Sequence, residues 1–370
     1  KKDLALIVAD AECAAACVYT KNLVKGAPIL VTQKNIENGF ARAVIVNSGN
    51  ANTCNEGGEE IAQQMCRLVE KHTGISAEDV IVASTGVIGQ KLSIEPIANG
   101  MKELVDGLGN NSTAAAEAIM TTDTVKKEIA LEFVIGGKVC RIGAICKGPN
   151  MATLLMFVTT DVNISPEMLQ KALSADVVDS VNMLSVDGDT STNDTFAILA
   201  SGLAGNEKID SENTDYSLFC TALHEVTTAL CRMLAKDGEG ATKLLECRVS
   251  GAKNKTDARL AAKSVISSDL FKSAMYGCDA NWGRVLCALG YSGADLDVRK
   301  IGVAFRSAGG YLSVCKNGMG MDFSEEYAKT VLSADEISIE VSLNDGDFEA
   351  TAWGCDLTYD YVKINGDYRT

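Results

Sequence analysis

Pro149-Asn150-Met151-Ala152-Thr153-Leu154-Leu155-Met156-Phe157-Val158-Thr159-Thr160-Asp161 is the stretch on which the reading of this chain turns. A small residue, Ala152, stands directly before a hydroxyl residue, Thr153, and the apolar run that follows reads as a buried strand. If the bond between Ala152 and Thr153 were cut, Thr153 would become a new N-terminus. It would then carry a hydroxyl nucleophile and a free amine on one residue. A free α-amine ordinarily titrates at about pH 7.7–8.0, well placed for a general base near neutral pH. A threonine activated by its own amine is an established way of making a nucleophile. The plainer reading is a threonine that opens a core strand, and the rest of the chain separates the two.

Several longer motifs surround this segment. Lys147-Gly148-Pro149-Asn150-Met151-Ala152-Thr153 is followed by Asp187-Gly188-Asp189-Thr190-Ser191-Thr192-Asn193-Asp194. Upstream lie Asn47-Ser48-Gly49-Asn50-Ala51-Asn52 and Ser84-Thr85-Gly86-Val87-Ile88-Gly89. Downstream lie Asp237-Gly238-Glu239-Gly240-Ala241-Thr242-Lys243, Asn281-Trp282-Gly283-Arg284 and the ending Asn365-Gly366-Asp367-Tyr368-Arg369-Thr370. In this order, over nearly the whole chain, they closely resemble the ornithine acetyltransferase family of arginine biosynthesis, the glutamate N-acetyltransferases.

That resemblance carries definite expectations. The fold is a layered α/β sandwich of mixed sheets flanked by helices, self-processing at a threonine, with a strand-rich C-terminal part. Cleavage between Ala152 and Thr153 yields an alpha chain, 1–152, and a beta chain, 153–370, and two of each assemble into a heterotetramer. Thr153 accepts the acetyl group of N-acetylornithine and passes it to glutamate, with no cofactor. The resemblance leaves open whether acetyl-CoA also serves as an acetyl donor. Thr85 and Gly86 form the oxyanion hole, and Thr121, Lys147, Thr153, Glu239, Asn365 and Thr370 contact the substrates. The location implied is the cytoplasm.

Residue chemistry independently allows these roles. Acyl transfer passes through an oxyanion that needs preorganised donors, and Thr85-Gly86 follows the apolar run Val80–Ala83. The hydroxyl and a backbone N–H at such a strand end supply two donors, although Ser-Thr-Gly is also a common turn. Lys147 can pair a substrate carboxylate, and Glu239, between two glycines, can approach an ammonium. Each also reads as an ordinary solvated charge. Asn365 and Thr370 lie where chains normally fray, so a role for them requires the tail to dock over the site.

Two departures from the family pattern stand out. An N-terminal lead-in is missing, and Gly148 abuts Pro149 where the family carries several further residues, Gly-rich and with a Met. A true deletion there is expected to drag Lys147 away from Thr153, which favours residues left out of the sequence at this point.

Composition excludes more than it identifies. A 370-residue chain with 46% hydrophobic residues can bury a large core as one or two domains. A net charge of −15 argues against nucleic acid or an anionic membrane as partner; small-molecule amino acids are the ligands that the family resemblance implies. The 13 cysteines are odd in number, contain no C-x-x-C pair and stand beside only two histidines. They read as reduced and mostly buried rather than as a disulfide framework or zinc site. Asp3, Asp10 and Glu12 interrupt any signal-like apolar region after Lys1-Lys2. No apolar run approaches the roughly 20 residues of a membrane helix.

Periodicity sketches the elements. Leu4–Ala9, Ile29–Thr32, Ala43–Val46 and Val80–Ala83 read as strands, and 58–72, the region of Ile97–Val105 and Thr113–Met120 as helices. Residues 128–146 read as a hairpin turning at Gly136-Gly137. Ser165-Pro166 signals a helix start, and 215–236 a long helix with Leu223, Val226, Leu230 and Met233 inward and His224 at the core edge. Beyond residue 240 come a strand at 243–250, helices near 257–268 and 281–290, and a second hairpin in which Ile337–Leu343 and Phe348–Leu357 flank Asn344-Asp345-Gly346-Asp347. Ser191–Asp194 is expected to cap a helix running through Leu203, and Tyr361–Ile364 is strand-like. Three rival functions share these residues. A hydrolase, amidase or aminopeptidase, on the same threonine machinery differs only in its acceptor. A magnesium phosphatase would use Asp187 and Asp189. A purely structural or binding role is a fourth reading, disfavoured by the number of coincident motifs.

Overall fold

A computed structural model describes residues 2–148 and 153–367 of the chain. Two expected site positions, Ala152 and Thr370, lie outside the described residues. In chain order the first elements are β1 (Leu4–Tyr19), α1 (Ala27–Asn35), β2 (Phe40–Asn50), α2 (Gly58–Thr73), β3 (Val80–Val87), α3 (Ile94–Asp106) and α4 (Ser112–Ala118). Next come β4 (Lys127–Ile135), β5 (Lys138–Lys147), β6 (Leu155–Thr160), α5 (Pro166–Asp179), β7 (Leu184–Ser185), β8 (Thr195–Ala200) and α6 (Thr214–Lys236). The remainder is β9 (Leu244–Ala252), α7 (Lys255–Ile266), α8 (Asp269–Tyr276), α9 (Trp282–Gly290), β10 (Gly302–Ser307) and β11 (Gly310–Lys316). It closes with β12 (Met319–Gly320), α10 (Glu325–Leu332), β13 (Glu336–Ser342), β14 (Phe348–Cys355) and α11 (Tyr359–Asp367). Among the described residues no helix is long and apolar enough to cross a membrane.

The chain divides into two compact units interleaved in sequence. One holds the described chain as far as Asp176 together with Asp189–Leu230, and the other holds Val177–Gly188 and the chain from Cys231 to Asp367. Each is built on a seven-stranded mixed sheet, in the order β3-β2-β1-β8-β6-β5-β4 for the first and β12-β11-β10-β13-β9-β14-β7 for the second. A cut at 152/153 falls inside the first unit, between β5 and β6. These two strands are antiparallel neighbours, with Lys147 opposite Leu155.

In the first unit, strand alternation decides which face each residue covers. Val44 and Val46 of β2 join Ala116, Ala118 and Ile119 of the α4 region on one face, while Ala43 and Ile45 meet Ala62, Met65 and Val69 of α2 and Ile97 and Met101 of α3 on the other. Both faces are therefore dry. Strand β6, Leu155 to Val158, is essentially fully buried. Burying each such side chain contributes about 1.5–3 kcal/mol, so the segment just after Thr153 is held firmly in the sheet.

Five expectations are corrected. Residues 29–32 are not a strand but part of helix α1, with Pro28 in the first turn. The Thr32 hydroxyl donates to the Val82 carbonyl and accepts from the Val82 N–H, both at 2.8 Å, and this tertiary anchorage overrides the β-branched composition. Ser191–Asp194 caps no helix, because strand β8 follows. Tyr361–Ile364 lies in helix α11, not a strand. Met233 is 37% exposed rather than inward, whereas Leu223, Val226 and Leu230 are buried as expected. Finally, β13 and β14 do not pair as a hairpin. Strand β9 lies between them, parallel to β13 and antiparallel to β14, and the N–H groups of Leu343 and Asp345 donate to Ser250 and Gly251 at the end of β9.

The remaining elements named from the sequence are found, including the Gly136-Gly137 hairpin of β4 and β5. Among the described residues no disulfide joins the thirteen cysteines, nine of which are buried. His224 sits at the core edge, its Nδ1 2.8 Å from the Asp176 carboxylate.

Candidate active site

Two parallel strand ends form the base of the site. Ser48 and Gly49 of β2 lie opposite Thr85 and Gly86 of β3. Gly86 has φ +128°, and a Cβ there would meet the Gly49 carbonyl carbon at 2.3 Å and the Asn50 nitrogen at 2.6 Å. Only glycine permits this approach. The buried Asn193 side chain locks the same strand end from the other side. Its Nδ2 donates to Ala51 O at 2.7 Å and Ser84 O at 3.0 Å, while its Oδ1 accepts from Thr53 and Thr192, each at 2.6 Å. Thr85 is thus fixed in position and fully buried.

Lys147, the last residue of β5, is also fully buried. Its Nζ donates to Thr85 Oγ1 at 3.2 Å and to the Thr153 carbonyl at 3.0 Å. One ammonium therefore ties the expected oxyanion residue to the expected nucleophile. Lys147 is not drawn away from Thr153, although Gly148 directly precedes Pro149 in the sequence. Gly148 has φ +84°, and a Cβ on it would lie 2.6 Å from Thr153 O, so glycine is what lets the chain come this close.

Thr153 is 3% exposed with φ +51°. A β-branched residue in the left-handed region carries strain of order ~1–3 kcal/mol. Its Oγ1 lies 2.7 Å from Ser191 Oγ. The next residue, Leu154, donates its N–H to Asp194 Oδ1 at 2.8 Å. Burial pushes the Asp194 carboxyl up to about 6, against the pull of the Leu154 and Ser191 backbone and the Lys147 charge.

Asp123 is the electrostatic counterweight. Its carboxylate accepts from Lys127 Nζ at 2.7 Å, from the Gly148 N–H at 3.1 Å and from the Thr121 N–H at 3.2 Å. Burial alone would raise its pKa. The charges of Lys147 and Lys127, with the hydrogen bonds from Lys127 and Thr121, outweigh burial and hold it below the usual carboxylate range. Nearby, the Thr121 hydroxyl is buried without a hydrogen-bond partner. An orphaned buried hydroxyl is costly.

The structure thus gathers Thr85, Gly86, Lys147 and Thr153, with Thr121 joined to Lys147's neighbour Gly148 through Asp123. Glu239 and Asn365 belong to the second unit. Glu239 is not the exposed loop charge of the plain reading. It is 5% exposed, and its Oε2 has no hydrogen-bond partner. The Gly238–Gly240 loop is closed by Thr358, whose hydroxyl donates to Gly240 O at 2.7 Å. Asn365, on α11, donates back to the Tyr361 carbonyl at 3.0 Å. For the phosphatase reading, Asp187 accepts from the Tyr361 hydroxyl at 3.4 Å, and among the described residues no three His, Cys, Asp or Glu side chains converge as a metal site.

Sequence reasoning missed Ser191, Asn193, Asp194, Asp123 and Lys127 as site residues. Lys127 carried one signal, a lysine on the strand face that otherwise presents Ile129, Leu131, Phe133 and Ile135.

Comparison with known proteins identifies the family. The family model described as "ArgJ family" matches residues 1–370. A Clostridium acetobutylicum protein named arginine biosynthesis bifunctional protein ArgJ 1 is 50% identical, over all of this chain and 92% of its own length. The bifunctional ArgJ protein of Caldanaerobacter subterraneus subsp. tengcongensis is 47% identical, over all of this chain and 94% of its own length. The crystal structure of the Bacillus halodurans arginine biosynthesis bifunctional protein ArgJ is 45% identical. It superposes with a TM-score of 0.55, covering 60% of this chain and 100% of that one. With the whole chain matched by the family model and by relatives near half identity, this chain belongs to the ArgJ family, the glutamate N-acetyltransferases of arginine biosynthesis.

Proposed function

We propose that Thr153 is the group that carries the acetyl in this acyltransferase, and that it is exposed as a nucleophile by self-cleavage after Ala152. The observation that carries this reading is the Lys147 ammonium, which bonds both the Thr85 hydroxyl and the Thr153 carbonyl. It brings the hydroxyl nucleophile and an oxyanion donor into one buried cluster. Maturation begins with attack of Thr153 Oγ1 on the Ala152 carbonyl carbon. The C–N bond breaks, an ester forms, and water cleaves it. Left-handed strain at Thr153 favours this step because the strained peptide is the one consumed.

In the mature enzyme the same hydroxyl attacks the acetyl carbon of N-acetylornithine. The Thr85 hydroxyl and the Gly86 N–H stabilise the oxyanion. The Lys147 ammonium that donates to Thr85 adds positive charge beside that oxyanion. Ornithine leaves, and glutamate attacks the acetyl ester, which is ping-pong transfer. The unpartnered Thr121 hydroxyl and Glu239 Oε2 suit substrate binding, Glu239 toward an ammonium. Lys147, Asn365 and Thr370 complete the contacts that family resemblance implies. The alpha and beta chains formed by cleavage stay together because β5 and β6 share a sheet. Their assembly as two of each, and a cytoplasmic location, belong to the same proposal.

Ornithine release from N-acetylornithine, measured with and without glutamate, tests the reading. Release that requires glutamate supports transfer. Equal release in both tubes means that water is the acceptor and the protein is a hydrolase. Replacing N-acetylornithine by acetyl-CoA in the same assay decides whether that donor is also used.

A further inference from the structure

Thr153 Oγ1 is touched by a hydroxyl that the reading above does not use. Ser191 Oγ lies 2.7 Å away, across 38 residues of sequence. The Asn193 N–H donates to Ser191 Oγ at 3.1 Å, and the Thr20 hydroxyl donates to the Ser191 carbonyl at 2.6 Å. Asn193 is in turn locked to Ala51 and Ser84. A serine turn of the kind common in loops explains the Asn193 contact. It does not explain why the hydroxyl is set against the nucleophile.

The chemistry supplies a reason. A mature N-terminal threonine can use its own amine as base, but in the uncut chain that nitrogen is the amide of the bond to be broken. An amide nitrogen has no basic lone pair, so maturation needs another proton carrier. We propose that Ser191 is a further catalytic residue, whose hydroxyl relays the Thr153 Oγ1 proton. As Oγ1 bonds to the Ala152 carbonyl carbon and the C–N bond breaks, Ser191 Oγ takes the Oγ1 proton. It gives its own proton to the departing Thr153 nitrogen, so no proton is gained or lost. With one lone pair of Ser191 Oγ held by Asn193, the second is available to accept. In acetyl transfer the same hydroxyl passes the proton between Oγ1 and the amine that Thr153 has acquired. The inference rests on Thr153 being the nucleophile.

The test compares Ser191→Ala, Ser191→Thr and Thr153→Ala with the wild type in the full-length chain. Cleavage is followed by gel, and transfer kinetics are normalised to cleaved chain. Positioned proton transfer contributes about 10²–10⁴-fold. Ser191→Ala is therefore expected to slow cleavage and lower kcat by about 10²-fold or more, with KM for N-acetylornithine within about threefold. Ser191→Thr keeps the hydroxyl at this partly exposed site and is expected to recover both rates to within about tenfold. If Ser191→Ala fails to fold by circular dichroism, Ser191→Gly, which likewise carries no hydroxyl, takes its place. Cleavage and turnover within about threefold of wild type in the Ala or Gly variant, or a Thr variant as slow as they are, overturns the inference. A Thr153→Ala chain that still cleaves would overturn the nucleophile itself. An inert Thr153→Ala beside a fully active Ser191→Ala would remove only the relay.

Discussion

Replacing Asp123 by alanine probes the electrostatics on which the site stands. Its carboxylate bonds Lys127 Nζ and the N–H groups of Gly148 and Thr121, and Lys147 is close enough to depress its pKa. Lys127 is 1% exposed and Lys147 0%. Removing the anion takes a buried counterion away from these two lysines, and breaking a buried ion pair costs about 3–5 kcal/mol. At about 2–4 °C per kcal/mol for a domain of roughly 150–250 residues, the melting temperature should fall by roughly 6–20 °C. Asp123→Asn keeps an acceptor oxygen and should lose less. The pH dependence has a definite sign. The Asp123 pKa is lowered on folding, so its contribution is complete above the unfolded carboxylate value of about 3.9 and is lost as pH falls through the folded one. Thermal unfolding of wild type and Asp123→Ala, followed by circular dichroism, should therefore show a wide gap at pH 7 that narrows below about pH 4. A variant melting with the wild type at pH 7 would refute the claim that this carboxylate holds the cluster together.

Other substitutions read the remaining parts. Thr85→Ala should lower kcat by about 10²–10³-fold with a smaller effect on KM, as for loss of one oxyanion donor, and a change confined to KM would move Thr85 to substrate binding. Gly86→Ala drives a methyl into the Gly49 and Asn50 backbone and should impair transfer at least as severely, and normal turnover would mean that the strand end can shift freely. The Asp194 carboxyl, pushed up to about 6 by burial, opposes folding as pH rises from its unfolded value of about 3.9. Asp194→Asn should thus gain stability over the wild type at pH 7.5 but not at pH 4, in paired melting curves, and no difference between the two conditions would count against the buried charge.

What the sequence disclosed and what it hid follow from range. Strands β2 and β3 were legible because their apolar residues face both sides of a covered sheet, and helix α2 because Ile61, Met65 and Val69 recur on one side. Helix α1 was misread because its anchor is a bond from Thr32 to Val82, fifty residues away. At Asn344–Asp347 the local signal correctly marks a reversal of direction. It cannot reveal that β9 has inserted between the two strands. The site divides in the same way. Thr153, Thr85 and Lys147 lie in motifs that can be recognised one segment at a time. Asp123 and Lys127 look like an ordinary surface pair until folding buries them, and Ser191 becomes more than a turn residue only when β8 and β6 bring it to Thr153.

The central claim, an acetyl group carried on Thr153, is most directly tested by trapping it. Cleaved enzyme is mixed with N-acetylornithine in the absence of glutamate, quenched in acid and digested, and the peptides are analysed by mass spectrometry. The account predicts one acetyl group on the peptide that begins at Thr153, removed when glutamate is added before the quench. An unmodified Thr153 peptide, or an acetyl group on another residue that glutamate discharges, would contradict it.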